Sequence, residues 1–499
     1  MAAKQKPEKT KSIAGKASRG RESLSFDLLY QLSYMSVIAS AGVPRDLIFQ
    51  KSSRIPCSTA DYFQKIESTC RNLKYDYATA CRIVGEDAKD EPIKALLLRF
   101  SSSLVSGEPE ADFLTREAAV QAEAYENEYN RKLETLKMWT DAYVSLILSA
   151  VLVIVMGIVS TMVWKTDTAF IVGLALTALA TTFLGLYLIY LMSPREFVAL
   201  RQPSSVEQRL INKYFKIAVA AALTLGVLPM LVSTQWGWSL VVMATAVMPL
   251  GIVATLDDRK ISRRDMEVGP LLRSLGGVAG AMGTTVKEAV AQIDLKAINV
   301  LRHEVMTLYR RLHAGISTHI SWRRFIEESG SELIKRSVGM FCDAIDLGGE
   351  PEKAGYHASL FAEKIALLRA RRRTVAFPFH WLCLAMHGAI AALLTFVTEV
   401  MTIFGGMVAS AQKSMPSISG SAAASSVFGF NFSGLVLMNR LVLPLLLALT
   451  LTNALAPTIA EGGSSYKLLF NLALTAAVTG ISLAVLPSLA QAIFKSIQM

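Results

Sequence analysis

The chain alternates long apolar and long polar stretches, and this alternation organises everything that follows. Residues 23–140 and 257–375 are polar, with apolar side chains recurring at helical spacing: Leu28, Leu29, Leu32, Met35 and Ile38 in the first, Leu301, Val305, Leu308 and Leu312 in the second. Residues 141–256 and 376–499 are apolar over much of their length. A helix needs about 20 mostly apolar residues to cross about 30 Å of hydrocarbon, and seven segments qualify. They are 142–163, 168–192, 217–232 with its flanks, 238–256, 376–404, 435–455 and 468–490. The polar stretches are too long for loops, so each is expected to fold as a helical domain. The pattern predicts an all-α polytopic membrane protein with about seven spans and two helical domains outside the bilayer.

Charge supplies the orientation. Lys and Arg are retained on the cytoplasmic side of spans. The connection after the second span carries Arg195, Arg201, Arg209, Lys213 and Lys216, the one after the fourth carries Arg259, Lys260, Arg263 and Arg264, and Arg369 and Arg371–Arg373 precede the fifth. The opposite connections are the Lys165–Asp167 turn, the uncharged Gln235–Trp238 turn and a Ser/Gly-rich loop at 405–433 whose one charge is Lys413. The amino terminus, with both polar domains, is therefore expected inside and the carboxyl terminus outside. Trp164, Trp236 and Trp238 fit interfacial anchors. Residues 1–22, with seven Lys and Arg and no apolar run behind them, read as a disordered basic tail and not as a cleaved signal.

Composition agrees. The 499 residues are 52% hydrophobic and 18% charged, and the net charge of +11 falls between apolar runs, which points to a membrane surface and not to nucleic acid. Cys57, Cys70, Cys81, Cys342 and Cys383 show no CxxC spacing and are expected as free thiols. The six histidines form no metal-ligand pattern, and His380 and His387 are expected to pack within the fifth span. The glycine-rich run Gly276–Gly283 lacks the lysine of a phosphate-binding loop, so close helix packing is its expected role and no cofactor is expected.

The two polar domains look like copies. Gly42 matches Gly283, Ile93-Lys94 matches Ile334-Lys335 and Phe100 matches Phe341, each 241 residues apart. Gly107-Glu108-Pro109-Glu110 then matches Gly349-Glu350-Pro351-Glu352 at 242, implying one inserted residue. Where the second copy has Trp322-Arg323-Arg324-Phe325, the first has Cys81-Arg82-Ile83-Val84.

On the Ser40-Ala41-Gly42-Val43-Pro44 joint, Gly315-Ile316-Ser317, the Trp322–Phe325 run and Gly348-Gly349-Glu350, the chain resembles the archaeal type IV pilus and archaellum platform proteins of the type II secretion F-domain superfamily. The resemblance covers most of the chain and rests mainly on the order of domains and spans. It implies two cytoplasmic F domains, at 23–140 and 257–375, preceding four spans (141–256) and three spans (376–499). It also implies a non-catalytic scaffold in the cytoplasmic membrane, a homodimer or small homo-oligomer, that couples a hexameric secretion ATPase to pilin or archaellin subunits.

Candidate sites follow. Arg310, Arg311, Arg323 and Arg324 are the expected contact for an acidic ATPase surface, weighed equally against a solvated helix face. Arg371–Arg373 suggest an anchor for anionic lipid. Gly107, Glu108, Gly349 and Glu350 are expected in inter-helix turns. Glu399 and Arg440 are ionisable groups inside spans, at similar depth, and are expected to pair; ion conduction and snorkelling of Arg440 are the competing readings. The alternative class is a secondary transporter, which would need broken helices around midplane charges; a receptor ranks third for want of an outer domain.

Overall fold

In the computed structural model, residues 24–163, 168–200, 205–233, 236–294, 296, 298–414 and 435–498 are described. The basic tail, Trp164 with the turn after it, Gln235 and most of the expected outer loop lie outside them. Among the described residues the structure is helical, with one isolated antiparallel bridge joining Ala199 and Ser331.

Helices begin where the local chemistry asks them to. Pro44 precedes α2 (Arg45–Ser52), Asp76 accepts from the Ala78 and Thr79 amides to cap α4 (Tyr77–Glu86), and Ser331 does the same for α13 (Glu332–Asp346) through Leu333 and Ile334. Proline sits in the first turn of α5 (Glu91–Ser106). The remaining helices are α1 (Leu24–Ala39), α3 (Ala60–Leu73), α6 (Glu110–Val163), α7 (Thr168–Met192), α8 (Val206–Ser233), α9 (Trp236–Met282), α10 (Val286–Gln292), α11 (Arg302–His313), α12 (Thr318–Ser329), α14 (Pro351–Ser414), α15 (Leu435–Glu461) and α16 (Leu468–Gln498). The expected outer loop begins later than the glycines at 405 and 406 suggested, because α14 continues to Ser414.

The chain divides into two compact units. Of the described residues, the first comprises those within 24–129, 195–200 and 261–369, and so holds most of both polar stretches together with a short insert; the second comprises those within 130–194, 205–260 and 370–498.

Within the first unit the helices recur at one spacing. The starts of α2 and α10 (45 and 286), α4 and α12 (77 and 318), α5 and α13 (91 and 332) and α6 and α14 (110 and 351) are all 241 residues apart. Left-handed backbone recurs at the same spacing, at Gly42 and Gly283, Lys74 and Gly315, and Gly107 and Gly348. The counterpart of Gly107 is thus Gly348 and not Gly349, and the inserted residue read from the two Gly-Glu-Pro-Glu runs is absent. Phe100 and Phe341 sit in equivalent buried positions. Around them the core volume is redistributed: Phe49 and Phe113 stack on Phe100, whereas their counterparts are Val290 and Ala354, and Trp322 fills the space that its counterpart Cys81 leaves.

Helix α1 is buried on every turn from Phe26 to Ala39, which forces its polar side chains to find partners. Asp27 accepts from the Ser58 amide at 2.9 Å, and Gln31 donates to the Ser52 carbonyl at 3.2 Å. The second polar stretch supplies part of its cover: Tyr34 donates to Asp343 at 2.8 Å, Arg336 lies over the rings of Phe26 and Tyr30, and Phe361 packs against both rings.

In the second unit α15 packs against α7 and α16. A Cβ on Gly237 would lie 2.6 Å from the Ala484 amide nitrogen and one on Gly251 2.6 Å from the Phe470 backbone, so only glycine allows α9 to approach α16 this closely. Six helices among the described residues are long and apolar enough to cross a membrane: Glu110–Ser160, Ala169–Met192, Trp236–Met282, Pro351–Met407, Asn439–Glu461 and Ser465–Lys495. The seventh expected span falls in α8, where the side chains of residues 227–233 lie outside the description. By length and composition of its helices the chain is a multi-pass membrane protein.

Candidate functional site

The expected basic face lies on α11 and α12 in the first unit. Arg310 is exposed, and Arg323 and Arg324 flank one carboxylate, Glu327, at 3.1 and 3.4 Å. Both stay largely exposed, at 72% and 59% of the side chain, and with His319 and Ile320 they line a shallow depression. Exposed ion pairs of this kind contribute about 0.2–1 kcal/mol, so both guanidiniums are available to a partner at little cost. Arg311 is different. It pairs through both terminal nitrogens with Glu328, which holds it more firmly protonated, and is only 21% exposed. It braces α11 against α12 and does not belong to the outward face with the other three.

Elsewhere in the first unit, residues 195–200 form a strap that the sequence did not announce. The Leu200 amide donates to the Gly330 carbonyl and the Glu332 amide to the Val198 carbonyl, both at 3.0 Å, tying the strap to the joint between α12 and α13. Arg369 fixes it from α14, pairing with Glu196 and Asp265 at 2.9 Å and donating to the Phe197 carbonyl. Burial alone works against the Arg369 charge, but Asp265 and Glu196 outweigh it and hold the guanidinium above its ordinary value. Arg264 and Glu304 form a second buried pair, and Arg264 also reaches the Ser329 carbonyl. The one sequence signal was Glu196, one of two glutamates within a basic connection.

In the second unit two arginines of the basic run 371–373 are engaged within the protein. Arg372 is buried and donates to the Ala460 carbonyl at 3.0 Å, the Ile459 carbonyl at 2.9 Å, the Pro194 carbonyl at 2.7 Å and the Ser193 hydroxyl at 2.5 Å. It satisfies the free carbonyls where α15 ends. Arg373 and Lys467 both pair with buried Asp258, at 2.7 and 3.6 Å, and Lys467 also pairs with Glu461 at 2.5 Å. Gly462 and Gly463 adopt left-handed backbone (φ +70° and +96°), and a Cβ on Gly462 would lie 2.6 Å from the Arg372 guanidinium carbon. These contacts gather the ends of α7 and α15, the start of α16 and the charged turns of α9 and α14 into one polar knot. Of the three arginines only Arg371 is exposed.

The ionisable residues within the spans are placed otherwise than expected. Glu399 accepts from Gln491 of α16 at 3.0 Å, Arg440 is exposed, and among the described residues no ion pair joins them. Similar depth along two helices does not fix which faces meet, and the Glu399 face meets α16. His387 is fully buried: its Nδ1 accepts from Asn453 at 3.1 Å, so its Nε2–H points to the Thr479 hydroxyl at 2.9 Å and the Thr475 carbonyl at 3.2 Å. Asn453 in turn accepts from Tyr143 at 3.0 Å. This cluster ties α6, α14, α15 and α16 together.

The remaining candidates are turns and thiols. Gly107 ends α5, and Gly348–Glu350 separates α13 from α14, with Gly349 so close to Ala41 that a Cβ would lie 2.6 Å from its Cβ. Arg116 pairs with Glu108 at 2.8 Å and Lys353 with Glu350 at 2.6 Å across these turns. All five cysteines are free, and burial pushes the Cys57 thiol up to about 11. Among the described residues no group of three or more His, Cys, Asp or Glu is placed to hold a metal.

Fold and sites together define a helical multi-pass membrane protein whose buried charges fasten helices to one another. Two curated proteins are similar to it. Flagella accessory protein J of Methanocaldococcus jannaschii is 27% identical over 333 residues, covering 64% of this chain and 58% of that protein. The protein of the same name from Methanococcus voltae is 22% identical over 366 residues, covering 70% and 65%. The chain thus spans less than two thirds of the length of these relatives. No family model matches the chain, and no solved structure matches it. The resemblance to archaellum platform proteins drawn from the sequence is borne out by these two relatives.

Proposed function

We propose that the chain is the integral membrane platform of an archaellum or related type IV pilus-like machine, coupling a cytoplasmic secretion ATPase to the insertion of filament subunits. The similarity to the two accessory proteins, over 333 and 366 residues, carries this reading. On it, the chain is a scaffold and not an enzyme, the first unit holds two F domains in tandem, and both lie in the cytoplasm with the carboxyl terminus outside. The common helix spacing of 241 residues supports the tandem arrangement. The polar knot supports the orientation, since it joins the ends of connections that the positive charges assign to one side.

The ATPase contact is the face formed by Arg310, Arg323 and Arg324, without the internally paired Arg311. The test is capture of the host's secretion ATPases by the full chain in lipid nanodiscs, comparing wild type with Arg310, Arg323 and Arg324 changed to Glu. Capture by wild type, lost in a variant with an unchanged melting temperature, is expected. Folded wild type that captures no secretion ATPase would overturn the coupling, and uptake assays for a transporter would follow.

A further inference from the structure

The cations near the helix ends of the second unit fall into two sets. Arg372, Arg373 and Lys467 are engaged inside the protein, on carbonyls and on Asp258. Arg209, Lys213 and Lys216 of α8 are exposed, and among the described residues none of the three has a carboxylate partner. Glu207, the acid in the first turn of α8, is taken by Lys260 of α9. Arg209 ends that first turn, where the helix dipole favours anions and not cations. The start of α8 therefore lacks an anion that the chain itself does not supply.

The same stretch is laid out in three stripes, each stepping by four and then by three positions, so that each keeps to one face of the helix. Ile211, Phe215 and Ala218 pack into the core with Leu250, Ala254 and Tyr466. One position earlier, Leu210, Tyr214 and Ile217 are apolar yet 43%, 45% and 60% exposed. One earlier again stand Arg209, Lys213 and Lys216, with the Lys213 ammonium 5.5 Å from the centre of the Tyr214 ring. Holding a connection on one side of a membrane needs positive charge but no particular face. An open basic stripe beside an open apolar one matches a surface that is itself charged and apolar side by side. Depth agrees. Residues 214–233 make about 30 Å of helix, the thickness of the hydrocarbon, and Lys216 is their one charge. With α8 as the seventh span, Tyr214 stands at the hydrocarbon boundary, Lys213 directly outside it, and Arg209 about 6 Å further out, within a headgroup layer about 5–8 Å deep. The Lys216 side chain leans towards the helix start and reaches the same layer.

We propose that the start of α8 is a binding site for an anionic phospholipid, with the headgroup phosphate among Arg209, Lys213 and Lys216 and an acyl chain running from Tyr214 past Ile217. The phosphate supplies the missing anion, and charge-assisted hydrogen bonds from three cations favour it over a headgroup of no net charge. The occupant is a lipid and not an acidic protein segment, because the apolar stripe beside the cations continues into the span, where acyl chains are the neighbours. The proposal rests on α8 being a span and not on which machine the chain serves.

Native mass spectrometry of the full chain in detergent, with phosphatidylglycerol or phosphatidylcholine added at equal concentration, tests it. Wild type is expected to carry at least fivefold more phosphatidylglycerol than phosphatidylcholine. Changing Arg209, Lys213 and Lys216 together to Gln is expected to abolish that preference while leaving the melting temperature in lipid-free detergent unchanged. Arg209→Lys with Lys213→Arg and Lys216→Arg keeps the charges and is expected to keep the preference. Lys65→Gln, Arg71→Gln and Lys353→Gln together remove the same charge from first-unit side chains that are 60%, 68% and 61% exposed, and should leave the preference within twofold of wild type. A wild type without preference, a preference that survives the α8 glutamine changes, or an equal loss in both glutamine variants would overturn the site, the last by assigning binding to net charge. A fluorophore on Ile217→Cys in nanodiscs is expected to be quenched by brominated acyl chains, and no quenching there would take the start of α8 out of the bilayer and overturn the proposal. So would an α8 glutamine variant that keeps its lipid preference but loses capture of a secretion ATPase, which would assign the basic stripe to a protein partner.

Discussion

Replacing Arg372 with alanine is the most direct test of the polar knot. The side chain is 6% exposed and reaches three backbone carbonyls and one hydroxyl, at 2.5–3.0 Å. A buried acceptor left without a donor costs about 1–3 kcal/mol, and water entering the vacated space recovers part of it, so the net loss is roughly 3–5 kcal/mol. Spread over a unit of this size, that lowers the melting temperature by on the order of 10 °C. Arg372→Lys keeps the charge but presents a single ammonium that cannot span acceptors on two helix ends, so about half the loss is expected. A maleimide dye that fluoresces on reaching buried thiols reads the transition in the full detergent-solubilised chain, with Cys383 reporting the second unit and Cys57 and Cys81 the first. An Arg372→Ala chain melting within 2 °C of wild type would refute the assignment and return the residue to a lipid-facing role.

Other expectations can be checked with the same preparation. Gly463→Ala should destabilise the second unit by about 1–3 kcal/mol, because its φ of +96° excludes a side chain and the new Cβ would collide with Asp258. Lys74→Gly should raise stability by about 0.5–1 kcal/mol, since Lys74 holds the left-handed conformation (φ 60°) that its counterpart Gly315 adopts without strain; unchanged or lower stability would count against the equivalence. Tyr34→Phe should cost about 1–2 kcal/mol by leaving Asp343 without its 2.8 Å donor, measured by denaturant unfolding of the first unit's thiols. The Cys57 thiol rises from 9.0 to about 11, chiefly through burial, so the folded chain holds this proton more tightly than the unfolded chain does. Its contribution is complete below about pH 9 and is lost as pH climbs towards 11; alkylation of native Cys57 at pH 8 should therefore be slow until denaturant is added.

The spans and the helical character were legible because bilayer thickness and helical periodicity both write themselves into apolar spacing. Free thiols were legible from the absence of pairing motifs. The polar knot was not, because Asp258, Arg372, Arg373 and Lys467 look like ordinary membrane-edge charges until helix ends meet, and which ends meet is a tertiary fact. Gly462-Gly463 gave the best hint, since two adjacent glycines after a span commonly mark a turn that needs left-handed backbone. The Glu399–Arg440 pairing failed for a related reason: depth follows from counting residues, whereas facing follows from packing, and Gln491 occupies the Glu399 side. Arg311 neighbours Arg310 in sequence, but adjacent helix positions point about 100° apart, so the two do not share a face.

The two polar stretches share few residues although their helix starts keep one spacing. Helix starts stay 241 residues apart because each is fixed by a turn of set length, and three of those turns require left-handed backbone at the same places. Side-chain identity is under no such constraint. Phe49, Phe113 and Cys81 in one core give way to Val290, Ala354 and Trp322 in the other, a change that exchanges which positions are large around the retained Phe100 and Phe341. Outward faces diverge further, since α1 is covered on every turn while its counterpart stretch of α9 leaves Met266 half exposed. Backbone demands therefore carry the common spacing, and matching runs of letters mislead: the two Gly-Glu-Pro-Glu runs lie one residue out of structural register, and the left-handed glycines at 107 and 348 correct them.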